Sequence, residues 1–431
     1  MPQLDRLRLW LGAPQDPAGF RAFRVMFGLL LAVVPVRMVA NEWVGPLFLD
    51  PTFRFAYAGF EWVPRPSEPV LYGLLATQCV AGLLLAVGWQ TRLAAVSYFL
   101  AFTWVELIDQ ATYLNHYYLV SLMTGLLVIL PAHGRWPGPQ SIPRWVVVWL
   151  RAQVATVYFF AGVAKLGSDW LVRGEPLHTW LSGMGHLPMV GPFMDSPTLA
   201  LAMSWAGCGY DLFIWLFLLY RPTRKAAWVT VVVFHVLTWC LFPIGVFPWV
   251  MIACSTLFFE PDWPRRWWPS SITASTAARP APKWALVALT AWMGVQVAVP
   301  LRGLSKPGTL NWTERGFRFS WRVMIIEKTG LVDFRVVDKD SGRRWVVHPS
   351  EHLSRVQHRL MRTQPDMIAQ FARHLAREWQ EKEGVEVAVY ADAFCSLNGR
   401  TTQRLIDQTV DLSVPESQLP EHWIVPLEHS P

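Results

Sequence analysis

Four ionisable side chains sit in stretches apolar enough to lie in a bilayer. They are Lys165 in "YFFAGVAKLGSDW" (158–170), His116 in "YLNHYYLVSL" (113–122), Asp211 in "GYDLFIWLFLLY" (209–220) and His235 in "FHVLTWC" (234–240). Asn115 precedes His116 and adds an amide. Ionisable groups inside a membrane are costly, so each is a functional candidate by default. Desolvation disfavours an ammonium ion, so a lysine in a dry pocket offers a neutral amine that can act as a general base. Such a base suits a weakly acidic, membrane-soluble substrate such as a hydroquinone.

Each residue also has a plainer reading. Lys165 closes an apolar run, where lysines snorkel to the interface. His116 has the place of an interfacial hydrogen-bonding residue. His235 could serve as a helix–helix polar contact, and Asp211 as the partner of a basic neighbour. Convergence favours the chemical reading, because the topology derived below puts all four in the outer half of the bilayer. Metal chemistry is not expected, since no two of these histidines have the i, i+4 spacing of a helical site and no CxxC or Cys/His cluster occurs. The five cysteines (79, 208, 240, 254, 395) imply no disulfide framework.

The elements that must position these groups follow from composition. The 431 residues are 53% hydrophobic and only 16% charged, and 25 are Trp. Soluble domains carry about 25% charged residues, and Trp collects at membrane interfaces. Candidate spans are 20–40, 68–88, 93–110, 117–131, 145–165, 199–220, 226–241, 244–259 and 284–301; the short ones leave the count at eight or nine. The polar N-terminal stretch runs into an apolar segment without an A-x-A site, which reads as a retained first helix. With the N-terminus inside, inner loops hold Arg6, Arg8, Arg92, Arg135, Arg144, Arg221, Arg224, Lys225, Arg265, Arg266, Arg279 and Lys283, and outer loops only Arg54, Arg65 and Arg173. That positive-inside bias puts the C-terminus on the periplasmic or lumenal face. The net charge of +7 therefore reads as topology control, not nucleic-acid binding.

Residues 264–283, rich in Pro, Ser and Ala, read as an inner linker. Beyond 303 the character changes: 317–326, 331–337, 343–348 and 385–394 read as strands, "DKDSG" as a hairpin turn, and 350–380 as an amphipathic helix interrupted near Pro365. The expected architecture is a cytoplasmic N-terminus (1–19), a polytopic α-helical membrane domain (20–303) and a small α+β extracytoplasmic domain (304–431).

The quoted segments, with "FHVLTWCLFPIGVFPWVMIACSTLFF" (234–259), "NWTERGFRFSWRVM" (311–324) and "SLNGRTTQRLIDQTVDL" (396–412), resemble the vitamin K-dependent gamma-glutamyl carboxylases and their bacterial relatives with the HTTM domain. The likeness runs from about residue 18 to 412 in similar order and spacing. It implies a bacterial inner-membrane enzyme that uses vitamin K hydroquinone or menaquinol with O2 and CO2, and no metal. Oxygenation of the hydroquinone would generate a strong base, which removes a γ-proton from glutamate; CO2 adds and the quinone leaves as its epoxide. The family's lysine falls on Lys165 and its Asn-His pair on Asn115 and His116, making Lys165 and His116 the implied catalytic residues. Asn115, His235 and Asp211 are implied to line the quinone and CO2 pocket. Trp321, Phe317 and Trp312 lie in the stretch associated with glutamate binding. Where the vertebrate enzyme has a tyrosine and a histidine in that stretch, this chain has Phe317 and Ile326.

The expected partners are the lipid bilayer, a naphthoquinone and a glutamate-containing peptide or protein, with no nucleic acid. Two rival functions remain: a quinol-dependent oxygenase or epoxidase without protein carboxylation, and a non-catalytic membrane receptor or transporter on the same scaffold.

Overall fold

The structure is a computed structural model that describes residues 3–133, 140–267 and 279–428. Arg135 and most of the expected inner linker, 268–278, lie outside the described residues. Each expected span coincides with a helix: α1 Ala18–Ala40, α2 Glu68–Val87, α3 Thr91–Leu107, α4 Asn115–Ile129, α5 Arg144–Ala164, α6 Pro197–Leu219, α7 Arg224–Leu241, α8 Phe247–Ser255 and α9 Lys283–Leu301. Six of these, α1, α2, α5, α6, α7 and α9, are long and apolar enough to cross a membrane. The other three have 17, 15 and 9 residues.

Local signals set the helix ends. The α6 helix starts at Ser196, whose Oγ accepts from Leu199 N at 3.3 Å, with Pro197 in the first turn. The α2 helix stops at Gly88, in the left-handed region at φ 86°. Packing then relies on small residues. A Cβ on Gly28 would lie 2.6 Å from Ala86 N, and one on Gly82 2.7 Å from Ala32 N, so α1 and α2 approach to near backbone contact. The most buried of the six is α5, which packs against α6, α8 and α9. Its Gln153 Nε2 donates to Gln296 of α9 at 3.1 Å, an interhelical polar contact inside the bundle.

The C-terminal part holds a four-stranded antiparallel sheet in the order β2-β1-β3-β4, with β1 Lys328–Asp338, β2 Arg344–Val347, β3 Val387–Leu397 and β4 Gln403–Arg404. Two helices, α10 Arg355–Met361 and α11 Pro365–Glu383, cover it. Pro365 begins the second helix, where its missing N–H costs nothing. Strand β1 alternates buried and exposed positions, and its inward residues Phe334 and Val336 share a core with Phe371 and Leu375 of α11.

Residues 317–326 are not the expected strand. The alternation of "FRFSWRV" there reflects a loop that packs into the helix bundle, hereafter the plug. Phe319, Trp321 and Met324 lie at φ +64°, +56° and +52°, a region that side-chain-bearing residues rarely adopt. The bundle holds the plug there. Phe319 N donates to Tyr113 Oη at 2.7 Å, Arg302 donates to Arg318 O, and Trp321 stacks on Tyr118 of α4 with ring centroids 4.9 Å apart.

Candidate active site

The Lys165 amine does not reach for a water interface. Lys165 caps the C-terminus of α5 and is only 6% exposed. Its Nζ lies 2.8 Å from Asp211 Oδ2 on α6, 3.2 Å from Ala161 O and 3.4 Å from Val323 O of the plug. The indole of Trp170 lies 5.3 Å from the ammonium nitrogen. Gly162 sets the spacing of the two helices, since a Cβ there would lie 2.7 Å from Leu212 N. Asn115, at the start of α4, donates to Arg322 O at 3.4 Å, one residue before the carbonyl that meets Lys165.

The two imidazoles form an adjoining cluster and make no hydrogen bond to Lys165. His235 is 2% exposed and shares a 3.0 Å hydrogen bond with Tyr158 Oη, while its Nδ1 has no hydrogen-bond partner. Tyr210 Oη lies 3.5 Å from Tyr158 Oη. His116 is half-buried against Tyr117, and Phe247 of α8 lies 5.7 Å from both imidazole rings. The five expected residues therefore gather in two linked groups. Three helices serve both: α4 through Asn115 and His116, α5 through Lys165 and Tyr158, and α6 through Asp211 and Tyr210. Sequence reading missed Tyr158, yet it lies seven residues before Lys165, two helical turns away on the same face.

The segment after Lys165 has a structural purpose. Gly167 precedes a short helix, Ser168–Leu171, which carries Asp169 and Trp170. Trp170 Nε1 donates to Ser204 O at 2.6 Å, fixing the ring beside the amine. Asp169 Oδ2 accepts from Asn398 Nδ2 and from an Arg400 guanidinium N–H, each at 2.9 Å. Burial alone would push the Asp169 carboxyl up, but the Arg400 and Asn398 hydrogen bonds outweigh it and hold the group below the usual carboxylate range. Asn398 also donates to Ile325 O at 3.2 Å and accepts from Glu327 N at 2.8 Å. The "SLNGR" stretch thus latches the end of the plug to the residues that follow α5.

The three aromatic residues expected at a glutamate site differ in access. Trp312 is fully buried in the sheet–helix core, with its indole N–H donated to Val425 O at 2.7 Å. Trp321 is 1% exposed, inside the bundle core, with Nε1 unpartnered. Phe317 alone of the three lines an open space, a cleft of about 820 Å3 that also holds Arg302, Arg318 and Asp366. A second cavity, of about 830 Å3 and strongly apolar, lies between α3, α4 and α9. None of Lys165, Asp211, Asn115, His116 and His235 lines either space. Among the described residues no group of three or more His, Cys, Asp or Glu could hold a metal ion.

Two family models match the chain. A family model of the HTTM domain matches residues 13–263. A second, of the vitamin K-dependent gamma-carboxylase lumenal domain, matches residues 281–430 and so takes in α9 as well as the sheet. No solved structure matches the chain. A bundle of apolar helices joined in chain order to that strand-bearing domain makes this membrane protein a member of the HTTM-domain family and a relative of the vitamin K-dependent gamma-carboxylases.

Proposed function

We propose that the chain is a membrane-embedded carboxylase that uses a reduced naphthoquinone, O2 and CO2 to carboxylate glutamate. The observation that carries this reading is the Lys165–Asp211 contact of 2.8 Å, with side chains 7% and 9% exposed, beneath a carbonyl of the matched lumenal domain. In the same reading the chain crosses the inner membrane through nine segments between residues 20 and 303. Residues 1–19 are then cytoplasmic, and 304–431 face the periplasm or lumen.

The residues present fit a lipophilic quinol. The amine is shielded from water, and the His235 Nδ1 is an unclaimed hydrogen-bonding group. When bound, the reduced quinone with O2 supplies a base far stronger than any side chain. The protein's own part is to hold and move protons. A proton passed from Lys165 Nζ to Asp211 Oδ2 turns an ion pair into a neutral amine and a neutral acid, and net charge stays at zero. The neutral amine of that arrangement is able to accept a proton. Trp170 and the plug keep water from Nζ, and Asn115 holds the plug carbonyl at Arg322. His116 and His235, with Tyr158, provide the second polar group along the same helices.

The test is to incubate the purified protein with reduced menaquinone or vitamin K, bicarbonate and a glutamate peptide. The peptide is expected to gain the mass of one CO2, matched by quinone epoxide. If neither product forms, the reading fails. A second reading, quinol epoxidation with a different acceptor, is favoured by the burial of Trp312 and Trp321, which gives a carboxylate no free aromatic face there. Epoxide without mass gain on the peptide selects it.

A further inference from the structure

The apolar groove between α3, α4 and α9 is walled by aromatic rings: Phe99 on α3, Tyr113 and Tyr118 around the start of α4, Trp292 on α9 and Phe319 of the plug. One acidic residue, Glu106 near the end of α3, lines this space. Among the described residues its carboxyl makes no hydrogen bond and no ion pair. A carboxyl without a partner in an apolar wall is costly and calls for a donor from outside the chain. Several other polar groups of the lining are engaged. Thr103 Oγ1 donates to Ser121 Oγ at 3.3 Å, and Tyr113 Oη donates to Asn115 Oδ1 at 3.0 Å. Arg302, the one basic residue of the lining, donates to Val299 O at 2.7 Å and Ser320 Oγ at 3.3 Å.

These features select among membrane-soluble ligands. A phospholipid headgroup needs free cations for its phosphate, and the only candidate is committed to holding the plug. An aromatic ring suits walls of aromatic side chains, and a neutral hydroxyl supplies the donor that Glu106 lacks. We propose that this groove is a second ligand site, which takes a lipophilic phenol or hydroquinone with its ring between the aromatic walls and its hydroxyl donating to the Glu106 carboxyl. It rests on the proposed function for the identity of that ligand, a reduced naphthoquinone. The groove adjoins the Lys165 site through a chain of contacts: Tyr113 bonds Asn115, Asn115 bonds Arg322 O, and the next carbonyl meets Lys165. The plug is the partition, so the groove is the lipid-side antechamber of the active site.

The experiment measures binding without turnover. Full-length protein is titrated anaerobically with reduced vitamin K, read by quenching of intrinsic Trp fluorescence, with thermal unfolding as the check on folding. Glu106→Leu is expected to weaken binding about fivefold to tenfold, the loss of one hydrogen bond. Val128→Trp, which fills the groove on the α4 side, is expected to abolish it. Oxidised vitamin K, with no hydroxyl to donate, is expected to lose far less in Glu106→Leu. Unchanged affinity in both folded variants overturns the proposal, as does displacement of the quinol by phosphatidylglycerol at matching concentration. If wild type forms carboxylated peptide while both variants bind normally, the groove assignment falls and the proposed function stands. If binding depends on Glu106 but no product forms, the reverse holds.

Discussion

Two buried lysine–carboxylate pairs, one in each half of the molecule, have nearly the same internal geometry and different surroundings. Lys165 lies 2.8 Å from Asp211, and Lys328 lies 2.8 Å from Glu314. Each ammonium nitrogen also sits near an indole, at 5.3 Å for Trp170 and 5.7 Å for Trp312. The difference is in the remaining contacts. Lys328 donates to Trp312 O at 2.7 Å and Thr363 O at 3.2 Å, tying three segments of the C-terminal part together. Lys165 has its own helix carbonyl at 3.2 Å and the plug carbonyl at 3.4 Å, a long bond to a loop that holds unfavourable backbone angles. A fully coordinated ammonium is a structural tie. One whose last partner is weak and displaceable can exchange that partner for a substrate.

The comparison breaks most sharply if the two lysines are exchanged for methionine. Lys165→Met is expected to lower product formation by about three to four orders of magnitude, with little loss of folded protein. Lys328→Met is expected to do the reverse, costing about 3–5 kcal/mol of stability by thermal or denaturant unfolding while activity per folded molecule persists. Similar stability losses in both variants would mean that Lys165 is a structural tie as well. Asp211→Asn, which keeps shape but cannot take the proton, should lower turnover by about one to two orders of magnitude. Pairing Lys165→Met with Asp211→Leu should keep the fold stable and leave activity lost, because an apolar pair can replace a buried ion pair. Gly162→Ala comes next: the added methyl group meets Leu212, so about 1–3 kcal/mol of destabilisation and a further loss of turnover are expected. The smallest effect belongs to the latch. The Asp169 carboxyl is held low in the folded protein, so its contribution to stability is complete above the unfolded value, about 3.9. That contribution is lost as pH falls through the folded value. Asp169→Asn should flatten the acid limb of a stability–pH curve, and an unchanged limb would remove the latch from the account.

The fold was readable where its signal is local. Apolar runs located the helices α1 to α9 to within a few residues, and alternation located β1, β2 and β3, because each pattern reflects burial of the element's own face. The plug was misread for the same reason. Its alternating residues are buried by Tyr113, Tyr118 and Arg302, more than a hundred positions away for the two tyrosines, and nothing local distinguishes that from a strand. In the site, intramembrane charge marked Lys165 and Asp211 separately, with an unnamed basic neighbour as one reading of Asp211; only the structure pairs the two. The separation of His116 and His235 from the amine was not legible either, because it depends on which faces of α4 and α7 meet α5. Asp169, Asn398 and Arg400 were visible as motif residues with no assigned purpose, since a latch shows itself only when both ends are in place. Glu106 lay inside the polar stretch 106–118, and only the cavity beside it distinguishes it from its neighbours.

Lys165 and Val323 are separated by 158 positions, and the loop that covers the amine belongs to the last third of the polypeptide. During synthesis the helices can insert and pair long before their lid exists, so the nitrogen stays uncovered until the tail has been translated and docked. Docking of that loop therefore completes the Lys165 pocket. A truncation before residue 317 is expected to yield an inserted bundle whose Lys165 is labelled by an amine-directed reagent that the intact protein resists.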